Sequence, residues 1–313
     1  MNTTLRDPMN TGRPLRAGFI GVGTMGQGMV MNLRRNGFAV MFLARETAGG
    51  RTARERLSQA GATPTGDPAE LARASDVVIL CLPDSPTVES ILTGPDGLKR
   101  YLRAGSIVLD CSTSHPASTR RLAEELAVGG VTLLDGPLTG SRAQADAGTL
   151  NVLGAGPLAA FEKARPVMLG FAARVFHLGD TGSGHAAKLI NNFLGLLALA
   201  GLCEVWPLLE GQGIDRRAFF DAISASGGNS ATFQGAFPKL EARSFSRNFA
   251  QKLGEKDVRY LAQLVHAAGG QVHLADCLHE VFESSLAAGF GESDTSELVR
   301  YFDPAQRAPG KNS

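Results

Sequence analysis

Charge of one sign is missing from this chain: 31 Lys and Arg stand against 30 Asp and Glu, a formal +1 over 313 residues. So even a balance produces no field able to hold a polyanion or an anionic bilayer, which sets aside nucleic-acid and membrane-surface partners and leaves small molecules. Cysteine is also scarce. Cys81, Cys111, Cys203 and Cys277 form no CxxC pair and mostly sit in apolar runs, a pattern that argues against structural zinc and fits a reducing, cytoplasmic setting. No His/Cys/Asp/Glu cluster has ligand spacing, so no metal is expected. The opening MNTTLRDPMNTGRPLR lacks an apolar h-region, and the most apolar later run, Leu189 to Leu209, is broken by Asn191, Asn192 and Glu204. Neither secretion nor a membrane span is expected.

What is present is a globular composition, with 43% hydrophobic and 19% charged residues, on a chain longer than one core usually organises. Short apolar segments at Arg16 to Gly21, Ala39 to Leu43, Asp76 to Leu82, Ser106 to Asp110 and Val131 to Leu134 read as strands, with helical patterns between most of them. From about Gly184 the strand signals stop. Helical runs follow, broken near Gly211 to Ile214, Gly227 to Asn229, Pro238 and Gly269 to Gly270. The expected fold is an α/β Rossmann-like doubly wound sheet followed by an all-α C-terminal domain. Residues 1–15 read as a disordered tail, 16–180 as a dinucleotide-binding domain, 181–303 as a helical substrate and dimerisation domain, and 304–313 as a frayed tail. The long helix from Gly184 to Glu210 is too apolar for a lone monomer, so a homodimer or homotetramer is expected.

The first strand runs into Gly21-Val22-Gly23-Thr24-Met25-Gly26 and then a helix, the context in which G-x-G-x-x-G signifies a dinucleotide site. Gly21 allows the tight turn, Gly23 admits the pyrophosphate to the backbone, and Gly26 lets the helix pack on the strand; the amino end of the helix then offers N–H groups to the phosphates. Cofactor choice should lie at the end of the second strand, where the chain reads Leu43-Ala44-Arg45-Glu46. Arg45 stands where a 2′-phosphate would lie and favours NADP; Glu46 is the rival, and a shift of one residue would favour NAD.

Four separated motifs then make the sequence resemble the β-hydroxyacid dehydrogenases. They are Gly21 to Gly26; Asp135-Gly-Pro-Leu-Thr-Gly140 running on to Ala147-Gly148-Thr149-Leu150; Gly182-Ser-Gly-His-Ala-Ala-Lys188-Leu-Ile-Asn191-Asn192; and Lys256-Asp257. Smaller agreements occur at Cys81-Leu82-Pro83-Asp84, Asp110-Cys-Ser-Thr113 and Asp294, and the likeness runs from about Arg16 to Tyr301. The resemblance implies Lys188 as the catalytic residue, Thr139, Gly140, Ser141, Asn191 and Asn192 at a small carboxylate substrate, and Leu82, Pro83, Thr113 and Lys256 beside the cofactor. The chain departs from the family's P-V-S-G-G-x-x-G-A pattern in the substrate loop: Thr139 replaces Ser, Ser141 replaces Gly and Gln144 replaces Gly. These side chains are expected to narrow and polarise the loop.

The residues support the same chemistry. Hydride addition to a carbonyl carbon leaves charge on its oxygen, which needs a proton donor in reach. Lys188 lies about one turn into a helix, where the dipole and burial both disfavour the ammonium. Asn192 sits one turn further on the same face, and Gly195 continues that face without a side chain. Thr139 and Gly140 follow the fifth strand at the carboxyl edge of the sheet and can offer donors to a carboxylate. Read without the family, Lys256-Asp257 is a solvated ion pair. His185 is read as a cap or surface residue with no part in the mechanism. The competing readings are an imine reductase-like enzyme, which usually carries Asp or Tyr in place of the lysine, and a non-catalytic NAD(P)-binding scaffold or sensor.

Overall fold

Strands of near-continuous apolar residues, such as Val77-Val-Ile-Leu80, are what a parallel sheet covered on both faces requires, and all four of those side chains are fully buried. In this computed structural model, residues 14–44 and 47–303 are described. The expected tails, apart from Pro14 and Leu15, lie outside the described residues, as do Arg45 and Glu46. The chain divides into two compact units, one ending at Gly184 and the other beginning at His185.

The first unit runs β1 (Ala17–Ile20), α1 (Gly26–Arg35), β2 (Val40–Leu43), α2 (Ala48–Gln59), β3 (Thr63–Thr65), α3 (Pro68–Ala74), β4 (Val77–Leu80), α4 (Ser85–Thr93), β5 (Ile107–Asp110), α5 (Pro116–Ala127) and β6 (Thr132–Asp135). Its six strands are parallel in the order β3-β2-β1-β4-β5-β6. The order reverses beside β1, and open sheets of this kind bind ligands outside the carboxyl ends of the strands at such a reversal. Several helix starts are written locally: Asp67 and Asp84 cap α3 and α4, and α3, α4 and α5 carry proline in the first turn, where its missing N–H costs nothing.

Four strands escape the sequence reading. β3 is the three-residue Thr-Pro-Thr, tolerated because it forms the sheet edge. The other three form a separate small sheet: β7 (Leu138–Thr139), then after α6 (Arg142–Ala147) β8 (Leu150–Gly154), and after α7 (Leu158–Leu169) β9 (Ala172–His177). Their order is β7-β8-β9. A two-residue strand leaves no periodicity to read. Helix α6 is clamped to α1 through Asn32, whose Nδ2 donates to Gly28 O at 2.8 Å and Ala145 O at 2.9 Å. A Cβ on Gly28 would stand 2.6 Å from the Ala145 carbonyl carbon, so the approach of α1 and α6 requires glycine there.

The second unit is helical: α8 (Ser183–Gly211), which starts two residues before the division, α9 (Arg216–Ser224), α10 (Ala231–Glu241), α11 (Gln251–Ala267), α12 (Leu274–Ser285) and α13 (Leu298–Phe302). The break expected at Pro238 does not occur; α10 runs through it. Burial of Phe233, Ala236, Phe237 and Leu240 on one face of α10 outweighs the backbone hydrogen bond a proline removes. One side of α8 contributes Leu196, Leu199, Ala200, Cys203 and Trp206 to the core, where Trp206 meets Phe237 edge-on at 5.0 Å. A second stripe on α8, Ile190, Leu194, Val205 and Leu208, is exposed. By length and composition α8 is apolar enough to cross a membrane. Asp294 ties the last helices down: its carboxylate accepts from Asn248 N, Phe249 N and Ser296 N, and it forms a capping box with Glu297.

Candidate active site

Three glycines of the first turn face different surroundings. Gly21 has φ +101°, and a Cβ there would lie 2.1 Å from Cys81 O; on Gly26 it would lie 2.1 Å from Gly21 O. Both positions are closed by the protein's own backbone. At Gly23 no atom lies within 4 Å of the Cβ position, so the space that only glycine leaves is open to a ligand. Met25, at the start of α1, supplies no side-chain cap and no acid occupies the first turn, so no side chain competes with an anion for that helix end. The turn therefore fits a dinucleotide pyrophosphate.

Val22, Thr24 and Met25 belong to the same turn, and the segments after β4 and β5, the strands next in the sheet, carry the candidates Leu82, Pro83 and Thr113. Leu82 is buried, Pro83 exposed and Thr113 half-buried. Their backbone is fixed from below: Asp110 accepts from Ser112 N and Ser114 Oγ, both at 2.9 Å, and Ser112 Oγ accepts from Leu82 N at 2.9 Å. The neighbouring thiols hold their protons tightly. Burial, and then the Asp110 carboxylate, pushes Cys81 up to about 12, and burial likewise raises Cys111.

In the substrate loop, Thr139 is half-buried at the end of β7 and pairs across the small sheet with Asn151. Asn151 Nδ2 donates to Thr139 Oγ1 at 3.0 Å. Gly140 follows at φ +125°, where a Cβ would press on Leu150 Cδ2 at 2.9 Å. The two departures expected to narrow the loop turn out to serve each other. Ser141 Oγ accepts from Gln144 N and Gln144 Oε1 accepts from Ser141 N, a capping box on α6. The Ser141 N–H is thus committed to the cap, and Thr139 and Gly140 carry the donors that remain.

The second unit holds the lysine. Lys188 is half-buried one turn into α8, and its ammonium makes no hydrogen bond among the described residues. Burial lowers it from 10.5 to about 8; the Asp257 carboxylate opposes that shift and Lys256 adds to it. Asn192 Nδ2 donates to Asp257 Oδ2 at 2.6 Å, and Asn191, which is exposed, donates to Asn192 Oδ1 at 3.1 Å. Asp257 pairs with Lys256 at 2.9 Å, with side chains only 2% and 7% exposed. This ion pair is buried rather than solvated, and Lys256 also lies 5.2 Å from the centre of the Tyr260 ring. Gly195 continues the Lys188 face beneath the Thr232 hydroxyl, 3.4 Å from where a Cβ would stand. His185, read as a cap or surface residue, is fully buried.

Residues 16–179 match the NAD binding domain of 6-phosphogluconate dehydrogenase, and residues 182–302 match the family described as NAD-binding of NADP-dependent 3-hydroxyisobutyrate dehydrogenase. The chain belongs to the β-hydroxyacid dehydrogenases. It is 34% identical to 3-hydroxyisobutyrate dehydrogenase of Pseudomonas aeruginosa over 77% of this chain and 82% of that one. With the NAD-dependent L-serine dehydrogenase of the same organism it shares 31% identity over 92% and 98%. A crystal structure of 3-hydroxyisobutyrate dehydrogenase from Salmonella typhimurium superposes with a TM-score of 0.82 at 26% identity, covering 92% of this chain and all of that one. An imine reductase from Myxococcus stipitatus shares the fold alone, at 20% identity and a TM-score of 0.62 over 93% of this chain and 100% of that one.

This β-hydroxyacid dehydrogenase is thus an NAD(P)-dependent oxidoreductase, and several of its site-shaping residues are silent in sequence. Asn32, Asn151 and Thr232 belong to no motif, because each acts on a partner that only folding brings beside it: Ala145 for Asn32, Thr139 on the paired strand for Asn151, and Gly195 for Thr232. Asn151 had one available signal, a polar side chain inside the apolar strand Leu150-Asn-Val-Leu153.

Proposed function

We propose that the enzyme reduces a short semialdehyde or related oxo acid with NADPH, and in reverse oxidises the corresponding small hydroxy acid, with Lys188 as the general acid and base. The observation that carries the reading is Lys188 itself: a half-buried ammonium held near 8, without a hydrogen-bond partner among the described residues, one turn from Asn192. With its pyrophosphate held at the Gly21 to Gly26 turn, the dinucleotide would supply the hydride and take it back. Lys188 gives its proton to the substrate oxygen as charge develops there, and recovers it in oxidation. Asp257 fixes the Asn192 amide and leaves a second Nδ2 proton for the substrate. Thr139 and Gly140 hold the carboxylate, and Lys256 serves the cofactor.

A lysine near 8 favours this over an imine reductase-like reaction, and that lysine and the Asn192 amide held by Asp257 would be idle in a non-catalytic scaffold. The same reasoning extends to assembly and setting. The stripe Ile190, Leu194, Val205 and Leu208 is covered by a second copy of the chain, making a homodimer or homotetramer, and the four free thiols suit a cytoplasmic enzyme. The deciding experiment is a panel of three- to five-carbon semialdehydes and hydroxy acids followed by NAD(P)H absorbance. Turnover of carboxylate-bearing members only is expected; activity confined to cyclic imines, or none on any member, would sink the reading.

A further inference from the structure

We infer that Asn151 is a positioning residue: it turns the Thr139 hydroxyl into an obligate donor toward the site, so that the loop selects a carboxylate. The inference rests on the reading of Thr139 as a substrate group. Thr139 and Asn151 stand directly opposite in the antiparallel pair of β7 and β8, and Asn151 Nδ2 donates to Thr139 Oγ1 at 3.0 Å.

A hydroxyl has one proton and two lone pairs, and its rotor otherwise points wherever the best acceptor lies. Here one lone pair is taken by the amide, which points the O–H away from Asn151, and no acceptor for that proton is found among the described residues. The next residue, Gly140, is exposed. The backbone N–H of Ser141 is spent on Gln144 Oε1 at 2.9 Å. The loop thus presents a directed O–H beside a glycine amide, with one Thr139 lone pair as the acceptor left over. The ligand group that matches two donors best is an anionic acceptor such as a carboxylate; a hydroxyl or amide would accept more weakly and bring donors of its own. The amide also polarises the hydroxyl it donates to, which strengthens the outward bond. An acid at position 151 would undo all of this by taking the Thr139 proton for itself.

The test is a double-mutant cycle on the full-length enzyme with the best semialdehyde acid found and its methyl ester. Asn151→Leu should raise KM for the acid about 3- to 10-fold, the net worth of one neutral hydrogen bond, with kcat little changed and KM for the ester, whose uncharged carbonyl accepts more weakly, raised less. In a Thr139→Val background the same substitution should change KM by less than about 2-fold. Asn151→Asp should raise KM for the acid more than Asn151→Leu does. If Asn151→Leu folds poorly by circular dichroism, the cycle is run with Asn151→Ser. Equal effects of the 151 substitution with and without the Thr139 hydroxyl, or equal effects on acid and ester, would overturn the inference while leaving the functional reading intact. Absence of wild-type turnover on every carboxylate would overturn both.

Discussion

The proton balance at Lys188 gives the sharpest test. Lys188 is lowered from 10.5 to about 8, so at pH 7 about a tenth of the molecules hold it neutral instead of about 1 in 3,000. The base needed for hydroxy acid oxidation is thereby about 300-fold more abundant at neutral pH. The sign follows from which form works. Oxidation needs the neutral amine, so its kcat/KM should rise with unit slope up to about pH 8 and then level. Reduction needs the ammonium, so its kcat/KM should be level at low pH and fall above about 8. Lys188→Ala should remove these limbs and lower turnover by about 10² to 10⁴, with cofactor affinity by fluorescence titration little altered. Lys188→Arg should not rescue it, since a guanidinium scarcely releases its proton. Asp257 holds Lys188 up, so Asp257→Asn, which still offers Asn192 an acceptor, should move both limbs below 8. An inflection near 10.5 in wild type, or limbs that survive Lys188→Ala, would refute the reasoning.

Other consequences are open to simpler measurements. Gly23→Ala, with nothing within 4 Å of its Cβ, should leave the melting temperature unchanged while weakening NADPH binding at least about tenfold; Gly26→Ala, driven to 2.1 Å from Gly21 O, should destabilise the fold itself. Gln144→Ala removes half the capping box on α6 and should cost about 1 kcal/mol, a melting-temperature loss of about 2–4 °C by calorimetry. Arg45→Ala should raise KM for NADPH far more than for NADH, and equal effects would assign the ribose to Glu46. Light scattering at micromolar concentration should show a dimer or tetramer that Leu194→Glu dissociates; a monodisperse wild-type monomer would remove the reading of the α8 stripe.

The elements of the sheet and the long helix were legible because their signals are local. β1 and β4 are unbroken apolar runs and β5 is apolar up to Asp110, the turn after β1 has its glycines in fixed spacing, and α8 is a long run of helix formers beginning after Gly182. Lys188 and Asn192, one turn apart, share a face by helical geometry alone. Such features depend on neighbours in sequence, so sequence determines them. In the small sheet β7-β8-β9, β7 was invisible, since a two-residue strand exists only through its partner. Pro238 read as a break because local rules count the lost hydrogen bond but not the aromatic core that α10 buries. The same holds at the site. Sequence named Thr139, Ser141, Lys188 and Lys256, but only the folded chain joins Ser141 to Gln144 as a cap, Asn192 to Asp257, and Thr139 to Asn151. It also lowers Lys188 by burying it. Residue types and local spacing were written in the sequence; hydrogen-bond partners and proton affinities were not, because both are set by groups that only tertiary packing brings together.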